Sequence, residues 1–222
     1  MTGVQTCALP IYFDGRPATL TRQLLSLREQ RNAAVHKVAF RARSLRDNLE
    51  LFEILAHRDR PTIALGMGRF GLLSRVLAPK FGGLLTFASL KPSSTTAPGQ
   101  PTIAELLNLY RFRSIGPATR VFGVVGDPVE HSRSPAMHNA GFERVGYDGV
   151  YLPMPVASGY ESLKATLTEL LGADALDLRG MSVTMPHKED LVRLAQSQGR
   201  ALEALAERCG AANTLVRDGS AV

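Results

Sequence analysis

The sequence predicts an α/β protein made of two domains. Short apolar segments alternate with helical patterns along the chain, and such alternation is typical of parallel βα units. The Gly116-Pro117 pair interrupts the pattern near the middle, where it indicates a linker. The charge changes there as well: residues 1–117 hold 16 Lys and Arg against 7 Asp and Glu, and residues 118–222 hold 10 against 13.

The composition excludes several classes of protein. A chain of 222 residues with 45% hydrophobic content can form one sizeable domain or two small ones, and no apolar run reaches the length of a membrane span. The two cysteines, Cys7 and Cys209, have neither metal-ligand spacing nor the density of a disulfide framework, which favours a reducing cytoplasm. The basic residues of the first part are scattered without aromatic stacking partners, so we expect a pocket for an anionic substrate and no nucleic-acid partner.

The first twelve residues, MTGVQTCALPIY, differ from the rest of the chain. They show no amphipathic period, no basic region before the short apolar run and no small-residue cleavage site, so they do not fit a signal peptide. They resemble a translated sequencing-adapter leader. We therefore expect residues 1–12 to be a non-native leader that packs against nothing native.

Three βα units are expected between Phe13 and Arg113. A helical pattern begins at Thr19, and later ones follow the first two of the predicted strands. The predicted strands are 35–40, 61–65 and 83–90, and the predicted last helix is 101–110. Alternation along the first strand puts Lys37 and Ala39 on one face and His36 and Val38 on the other.

Residues 66–71, GMGRFG, fit the G-x-G-x-x-G pattern between a strand and a helix. Taken literally, this pattern predicts a dinucleotide site. Such a site also needs an acidic residue roughly 20 positions further on to hold the ribose, and no Asp or Glu occurs between Asp59 and Glu105. The glycines are better explained as residues that let a loop turn.

Polar side chains cluster in three motifs of residues 120–222, namely 131–135 (HSRSP), 180–189 (GMSVTMPHKE) and 210–214 (GAANT). We expect each motif to join a strand end to a helix start, where polar groups can face a small ligand. In the first motif Ser134 can cap the following helix, with Pro135 as its first residue.

The middle motif places a lysine at a helix start. Pro186 suits the first helical position, which puts Lys188 in the first turn. The positive end of the helix dipole favours loss of a proton from the ammonium group, so the residue suits proton transfer. A solvated lysine neutralised by Glu189 and Asp190 is an equal alternative on this motif alone.

Together and in this order, the three motifs resemble the substrate-binding domain of shikimate dehydrogenase, from about Val121 to the last residue. The resemblance implies that Lys188 is the catalytic proton-transfer residue. It implies substrate contacts from three hydroxyl groups and one amide, which are Ser132, Ser134, Thr184 and Asn213. Many bacterial members carry Asn where this chain has Ser182, a serine familiar from the plant-type bifunctional enzymes, so no substrate contact is assigned to that position.

Residues from about Phe13 to Arg113 resemble the C-terminal part of type I 3-dehydroquinate dehydratase, a (β/α)8 barrel with a Schiff-base lysine. Lys37 matches that lysine. An inward-facing barrel lysine loses hydration and its pKa falls, so the neutral amine can attack a ketone. The resemblance implies that Arg75 binds the substrate carboxylate. It also implies that Thr96 lies in the substrate loop and that Gln100 contacts the substrate.

Two parts of the dehydratase pattern are absent. The proton-shuttling histidine would fall at Ile11, and His36 cannot replace it because it faces away from Lys37. The earlier barrel strands are also missing, and three strands cannot close a barrel. The predicted fold is therefore a partial (β/α)8 barrel, its last three βα units, followed by the α/β substrate-binding domain of a shikimate dehydrogenase.

We expect a truncated bifunctional shikimate-pathway enzyme with a leader at 1–12, a dehydratase part at 13–113, a linker at 114–119 and a substrate-binding domain at 120–222. The resemblance implies dehydration of 3-dehydroquinate to 3-dehydroshikimate, which NADPH then reduces to shikimate. It also implies that the NADP domain is absent, so we expect this piece alone to be inactive. The implied partners are these small molecules, without nucleic acid or a membrane.

Two other functions remain open. A non-catalytic sensor of quinate- or shikimate-pathway metabolites, such as a repressor module, could reuse both domains. Retention of both Lys37 and Lys188 argues against a sensor. An NAD-dependent enzyme built on Gly66–Gly71 is disfavoured by the missing acidic residue for the ribose.

Overall fold

A computed structural model describes residues 11–30, 32–91, 93 and 99–217, and the backbone alone of residues 6–8. The chain divides into two compact units, residues 1–108 with 112–118 and residues 109–111 with 119–222. The division between residues 118 and 119 falls inside the predicted linker 114–119. Among the described residues, no helix is both long enough and apolar enough to cross a membrane.

The described residues of the first unit form three parallel strands and three α-helices. In chain order they are β1 (Thr6–Ala8), α1 (Leu20–Glu29), β2 (Val35–Arg41), α2 (Asp47–Ala56), β3 (Thr62–Met67) and α3 (Leu72–Val76). The strands lie in the order β1-β2-β3. The βα alternation predicted from the sequence is therefore present in β2 to α3.

The helices cover one face of this sheet, as the alternation in β2 requires. Val38 and Phe40 point into a core that α1 and α2 complete with Leu20, Leu27, Leu51 and Leu55. His36 lies on that same face beside Leu24 and Ile54 and is 5% exposed. Ala39 packs instead with Ile63 and Leu65 of β3 in a separate cluster. The predicted opposition of His36 and Lys37 therefore agrees with the fold.

The prediction of a third strand at residues 83–90 is wrong. A single backbone bond, from Leu84 N–H to Thr62 C=O, joins this segment to β3, and Ser89 forms an isolated bridge with Thr102. Leu84, Leu85 and Phe87 remain 40–48% exposed. A strand is stabilised by pairing along its length, and no strand lies on the outer side of this segment in the described chain. The partial barrel therefore remains a prediction.

The expectation that residues 1–12 pack against nothing native is also wrong. Residues 6–8 pair in parallel with β2, and Tyr12 bonds through its backbone to Ala39 and Arg41. The side chain of Tyr12 packs against the core of the first unit. The physical reason is that an open strand edge presents unpaired N–H and C=O groups, which accept any extended chain.

The predicted helix at 101–110 is a π-helical turn over Glu105–Leu109. A capping box precedes it, in which the Thr102 hydroxyl accepts the Glu105 N–H and the Glu105 carboxylate accepts the Thr102 N–H at 2.7 Å. A short 3-10 turn, Phe112–Ser114, then leads into the second unit.

Within residues 119–217, the second unit has four strands and four α-helices. In order they are β4 (Arg120–Gly126), α4 (Ser134–Arg144), β5 (Gly149–Pro155), α5 (Tyr160–Gly172), β6 (Leu178–Val183), α6 (Lys188–Ser197), α7 (Ala204–Cys209) and β7 (Thr214–Val216). The sheet order is β5-β4-β6-β7, in which β7 alone is antiparallel. The carboxyl ends of β4, β5 and β6 and the start of β7 consequently share one edge of the sheet.

Strand β5 is an outer strand whose free side is covered by a side chain. Asn139 of α4 donates to Tyr151 C=O at 2.9 Å and accepts from Tyr151 N–H at 2.8 Å. Asn139 is 1% exposed. One amide group therefore satisfies both main-chain groups of Tyr151 and holds α4 on the sheet.

Candidate active site

The turn between β6 and α6 forms the centre of the candidate site in the second unit. Thr184 N–H donates to Val125 C=O at 2.8 Å, and Asp127 N–H donates to Met185 C=O at 3.0 Å, so this turn is tied to the end of β4. The Thr184 methyl group lies against Gly126, where any larger residue would overlap it. Thr184 is therefore held at the carboxyl edge of the sheet, as its motif predicted.

The prediction that Pro186 begins the following helix is wrong. Helix α6 begins at Lys188, and Pro186 lies in the turn before it. The turn is closed by the bond from His187 N–H to Thr184 C=O, and the His187 side chain is buried. The helix can start only after that buried residue, so Lys188 is its first residue and still lies in its first turn.

Lys188 is exposed and free of close polar partners. Within the described part of the chain, its ammonium group makes no hydrogen bond and no ion pair, including with Glu189 or Asp190. Its backbone C=O accepts the N–H of Ala212 at 3.0 Å. A long cationic side chain held at its base and free at its tip can reach a small ligand.

Lys188 and Asn213 line the same cleft, although 25 positions separate them. The cleft has a volume of about 620 Å³ and is walled by α7 and the start of β7, including Glu203, Ala206 and Cys209. Asn213 reaches the cleft because its C=O accepts the Val183 N–H at 2.7 Å, which fixes β7 beside β6. The structure thus brings together the predicted proton-transfer residue and the predicted amide.

The two predicted serines lie in the loop that follows β4. Ser132 Oγ accepts the backbone N–H of Ser134 at 3.2 Å. Ser134 is the first residue of α4 and makes no capping bond of its own, so the predicted capping role belongs to Ser132. A helix start leaves N–H groups unpaired, and the nearest upstream hydroxyl satisfies one of them. Ser132, Ser134 and Thr184 lie at one sheet edge, but none of the three lines the cleft of Lys188 and Asn213, so the expectation that all five residues line a single cleft is wrong.

Ser182 has an internal partner that the sequence did not indicate. Tyr151 donates its hydroxyl hydrogen to Ser182 Oγ at 2.8 Å across the sheet. Burial raises the pKa of the Tyr151 hydroxyl, and the bond to Ser182 opposes that rise. His138 stacks on the Tyr151 ring with centroids 4.2 Å apart. Ser182 is thus fixed two residues before Thr184, on the same face of β6.

In the first unit, Lys37 and Arg75 meet at Phe87. The Lys37 Nζ lies 4.5 Å from the centroid of the Phe87 ring. The Arg75 guanidinium donates to Phe87 C=O at 3.2 Å and to Gly66 C=O at 3.1 Å. Two cationic groups from successive βα units therefore approach one point, on the sheet face away from α1 and α2.

Arg75 is a buried cation without a carboxylate partner in the described chain. It is 3% exposed, and burial lowers the pKa of its guanidinium to about 10. The group stays charged at neutral pH because that value lies well above 7. A buried cation that is bonded only to carbonyl oxygens has no negative charge beside it to compensate its own charge. A carboxylate ligand can supply that negative charge.

Gln100 is 9% exposed and follows Gly99, whose backbone lies against Gly68. The loop that carries Gln100 therefore packs on the loop of residues 66–71. Thr96, the other residue predicted for the substrate loop, lies outside the described residues.

The two glycines at the ends of residues 66–71 have their N–H groups bonded within the chain. Gly66 N–H donates to Ser74 Oγ at 2.7 Å, Ser74 N–H donates to Asn48 Oδ1 at 3.1 Å, and Gly71 N–H donates to Gly68 C=O at 3.0 Å. Gly66 and Gly71 also lie in contact, so a methyl group on either would overlap the other. These bonds and this contact close a turn at Gly66 and Gly71. The described residues also contain no group of three or more His, Cys, Asp or Glu that could hold a metal ion.

Three contacts at these sites were not predicted: those of His187, Tyr151 and Phe87. His187 is adjacent to Lys188, but nothing in the sequence distinguishes a buried histidine from an exposed one in a turn. The alternation in residues 149–155 could have placed Tyr151 on a sheet face, although its partner depends on strand order. Phe87 was predicted to lie in a strand, and for that reason its position between Lys37 and Arg75 was not predicted.

The geometry defines a two-unit α/β protein of the kind that binds small molecules at strand ends. Residues 11–117 match the family model of type I 3-dehydroquinase, and residues 124–215 match that of the shikimate dehydrogenase substrate binding domain. The chain therefore carries a type I 3-dehydroquinase region followed by a shikimate dehydrogenase substrate binding region. The resemblance drawn from the motifs is confirmed.

Relatives of known sequence and structure carry both regions or one of them. The bifunctional 3-dehydroquinate dehydratase/shikimate dehydrogenase of Arabidopsis thaliana, chloroplastic, is 42% identical over 189 residues, which are 85% of this chain and 30% of the relative. The shikimate dehydrogenase (NADP(+)) of Anaeromyxobacter dehalogenans is 48% identical over 103 residues, 46% of this chain and 34% of the relative. The chain spans about a third of the length of these curated relatives.

A solved structure, that of dehydroquinate dehydratase and shikimate dehydrogenase from S. pombe AroM, is 28% identical to the chain. The match covers 93% of this chain and 38% of that chain, with a TM-score of 0.37.

Proposed function

We propose that the complete protein containing this chain reduces 3-dehydroshikimate to shikimate, with NADP as its cofactor. The observation that supports this function best is the cleft at the carboxyl edge of the second unit, which Lys188 and Asn213 line together. The family match over residues 124–215 points to the same substrate class.

Reduction of a ketone requires a hydride at the carbon and a proton at the oxygen. We assign the proton to Lys188, whose free ammonium can donate it to the ketone oxygen and regain it from solvent. The hydroxyl groups of Ser132, Ser134 and Thr184 and the amide of Asn213 are assigned to the ring hydroxyls of the substrate. These side chains start from one edge of the sheet, which suits contact with a single small ring.

No described residue of this chain is assigned a role in holding the cofactor. The assignment of NADP therefore rests on the relative that is named as NADP(+)-dependent. The residue roles proposed here are limited to holding the substrate and transferring the proton.

The test is Lys188→Ala in the complete protein. We expect kcat to fall by roughly 100-fold to 10,000-fold, the usual contribution of a positioned acid or base, while KM changes much less. NADPH oxidation in the presence of 3-dehydroshikimate, followed by absorbance, measures both constants. Lys164→Ala removes another exposed lysine of the same unit and should leave both constants unchanged.

A Lys188→Ala enzyme with normal kcat and a raised KM would contradict the proton-transfer role. Lys188 would then be a binding residue. Equal losses in Lys188→Ala and Lys164→Ala would show that the loss is not specific to the cleft.

We also infer that the first unit belongs to a site that dehydrates 3-dehydroquinate. The supporting observation is that Lys37 and Arg75 both contact Phe87, so a single residue lies between an amine and a buried guanidinium. The Lys37 amine would attack the substrate ketone to form an imine and release water. Arg75, with Gln100 and Thr96, would hold the rest of the substrate, its carboxylate on the guanidinium.

Trapping tests this assignment. We expect sodium borohydride to reduce the imine formed with 3-dehydroquinate and leave a stable adduct on Lys37, which peptide mass spectrometry locates. Lys37→Met should give no adduct, and the exposed Lys91 is an internal control in the same digest. The trap reports imine formation alone, so it does not depend on the later proton transfer. An adduct on other lysines in place of Lys37 would refute the assignment.

A further inference from the structure

His187 is a buried side chain in an exposed turn. It is 0% exposed, whereas its neighbours Pro186 and Lys188 are both exposed. Burying an imidazole requires polar partners, because an unpaired ring nitrogen loses its bonds to water. A histidine placed this way beside the proposed proton donor needs a structural explanation.

The His187 ring is anchored to the chain that follows β5. Its Nε2 lies 2.9 Å from the C=O of Val156, 31 positions away. A carbonyl oxygen can only accept, so Nε2 carries a hydrogen and donates it to Val156. Nδ1 has no hydrogen-bond partner, and the nearest carboxylate oxygen, on Asp190, is 3.6 Å away. The ring therefore makes one directional bond, to Val156.

The other ties of this turn are made by the main chain. Thr184 N–H and Met185 C=O bond to the end of β4, and Lys188 C=O bonds to Ala212 N–H before β7. The His187 ring supplies the tie to the third neighbour, β5, through Val156. Of these bonds, only the one from His187 Nε2 to Val156 C=O can be removed by replacing a side chain.

The position of Lys188 depends on those ties, because its ammonium has no partner of its own in the described residues. A shift of the turn would move the base of the lysine, and a displacement of about 1 Å can cost roughly 100-fold in rate. We propose that His187 is a positioning residue for Lys188, acting through the bond from Nε2 to Val156. This inference rests on the proton-transfer role proposed above.

The test compares two variants of the complete protein, and a third replaces one of them if it does not fold. His187→Phe keeps a planar ring without a donor, and His187→Gln places an NH2 donor at a similar reach. We expect His187→Phe to lower kcat by about 10-fold to 100-fold with little change in KM, and His187→Gln to recover most of the loss. If His187→Phe does not fold, His187→Met, of similar length and without a donor, takes its place.

A second measurement uses the 222-residue chain and needs no turnover. Amide hydrogen exchange should speed up in the peptide that covers residues 188–191 in His187→Phe, and return to the normal rate in His187→Gln. Exchange in β4 should stay unchanged. Faster exchange throughout the second unit, with normal kcat for each folded molecule, would show a merely structural role and overturn the proposal.

The outcomes separate the two proposals. If Lys188→Ala keeps normal kcat, the proton-transfer function is wrong, whatever the His187 variants do. If Lys188→Ala loses kcat while His187→Phe keeps it, the function stands and the positioning role of His187 is refuted.

Discussion

Asn139 covers the free side of the outer strand β5, and its contribution to the stability of the second unit can be tested. Replacing Asn139 by alanine removes a donor to Tyr151 C=O and an acceptor from Tyr151 N–H. Both main-chain groups of Tyr151 then lose their only partners on the free side of the strand. The helix α4 also loses its polar attachment to the sheet.

The expected loss follows from the number of groups left unpaired. Asn139 is 1% exposed and Tyr151 is 3% exposed, so water cannot replace the lost bonds without rearrangement. Each buried polar group without a partner costs about 1–3 kcal/mol. Two such groups should lower the free energy of unfolding of the second unit by about 2–6 kcal/mol, a large part of the total stability of a domain.

Urea unfolding of the 222-residue chain, followed by far-ultraviolet circular dichroism, measures this loss, and amide exchange of residues 149–155 assigns it to β5. Glu143→Ala is the matched control, since it removes an exposed side chain of the same helix and should change stability by less than about 0.5 kcal/mol. If Asn139→Ala unfolds at the same urea concentration as Glu143→Ala, the Tyr151 bonds do not stabilise the sheet.

Three further predictions concern the first unit. Burial lowers the pKa of His36 from its ordinary value of 6.5, so the unfolded chain binds the proton more tightly and stability should fall as pH drops from about 7 to 5. His36→Gln should flatten that pH dependence in urea titrations, and an unchanged slope would exclude His36 as its source. Thr102→Ala breaks the capping box with Glu105 and should cost about 0.5–2 kcal/mol in thermal unfolding, a cost that Thr102→Ser should largely avoid. Gly71→Ala should destabilise the unit by about 1–3 kcal/mol or more, because its methyl group overlaps the backbone of Gly66; normal stability would mean that this turn is open.

Features determined by local periodicity were predictable from the sequence. The alternation in β2 correctly placed His36 towards the helices and Lys37 away from them. Strand ends were predictable for the same reason, so the motifs alone placed Thr184, Lys188 and Asn213 at one sheet edge. Parallel strands bring their carboxyl ends together whatever their side chains are.

Features determined by distant partners were not predictable. Residues 83–90 have the composition of a strand, but a strand also needs a partner that pairs along its length, and the described chain offers one backbone bond to β3. Pro186 has the local preference of a first helical residue, yet the burial of His187 against Val156 delays the helix by two positions. The β1 pairing also came from an open edge and not from its own residues.

The main-chain ties of the 184–188 turn have a consequence for how this site can change. Bonds from Thr184 N–H, Met185 C=O and Lys188 C=O involve no side chain, so they survive most substitutions at those positions. A lineage could therefore alter the groups that touch a substrate one at a time while the frame beneath them stayed intact. Such a frame makes gradual change of ligand preference an accessible route, in which new preferences arise without a new fold.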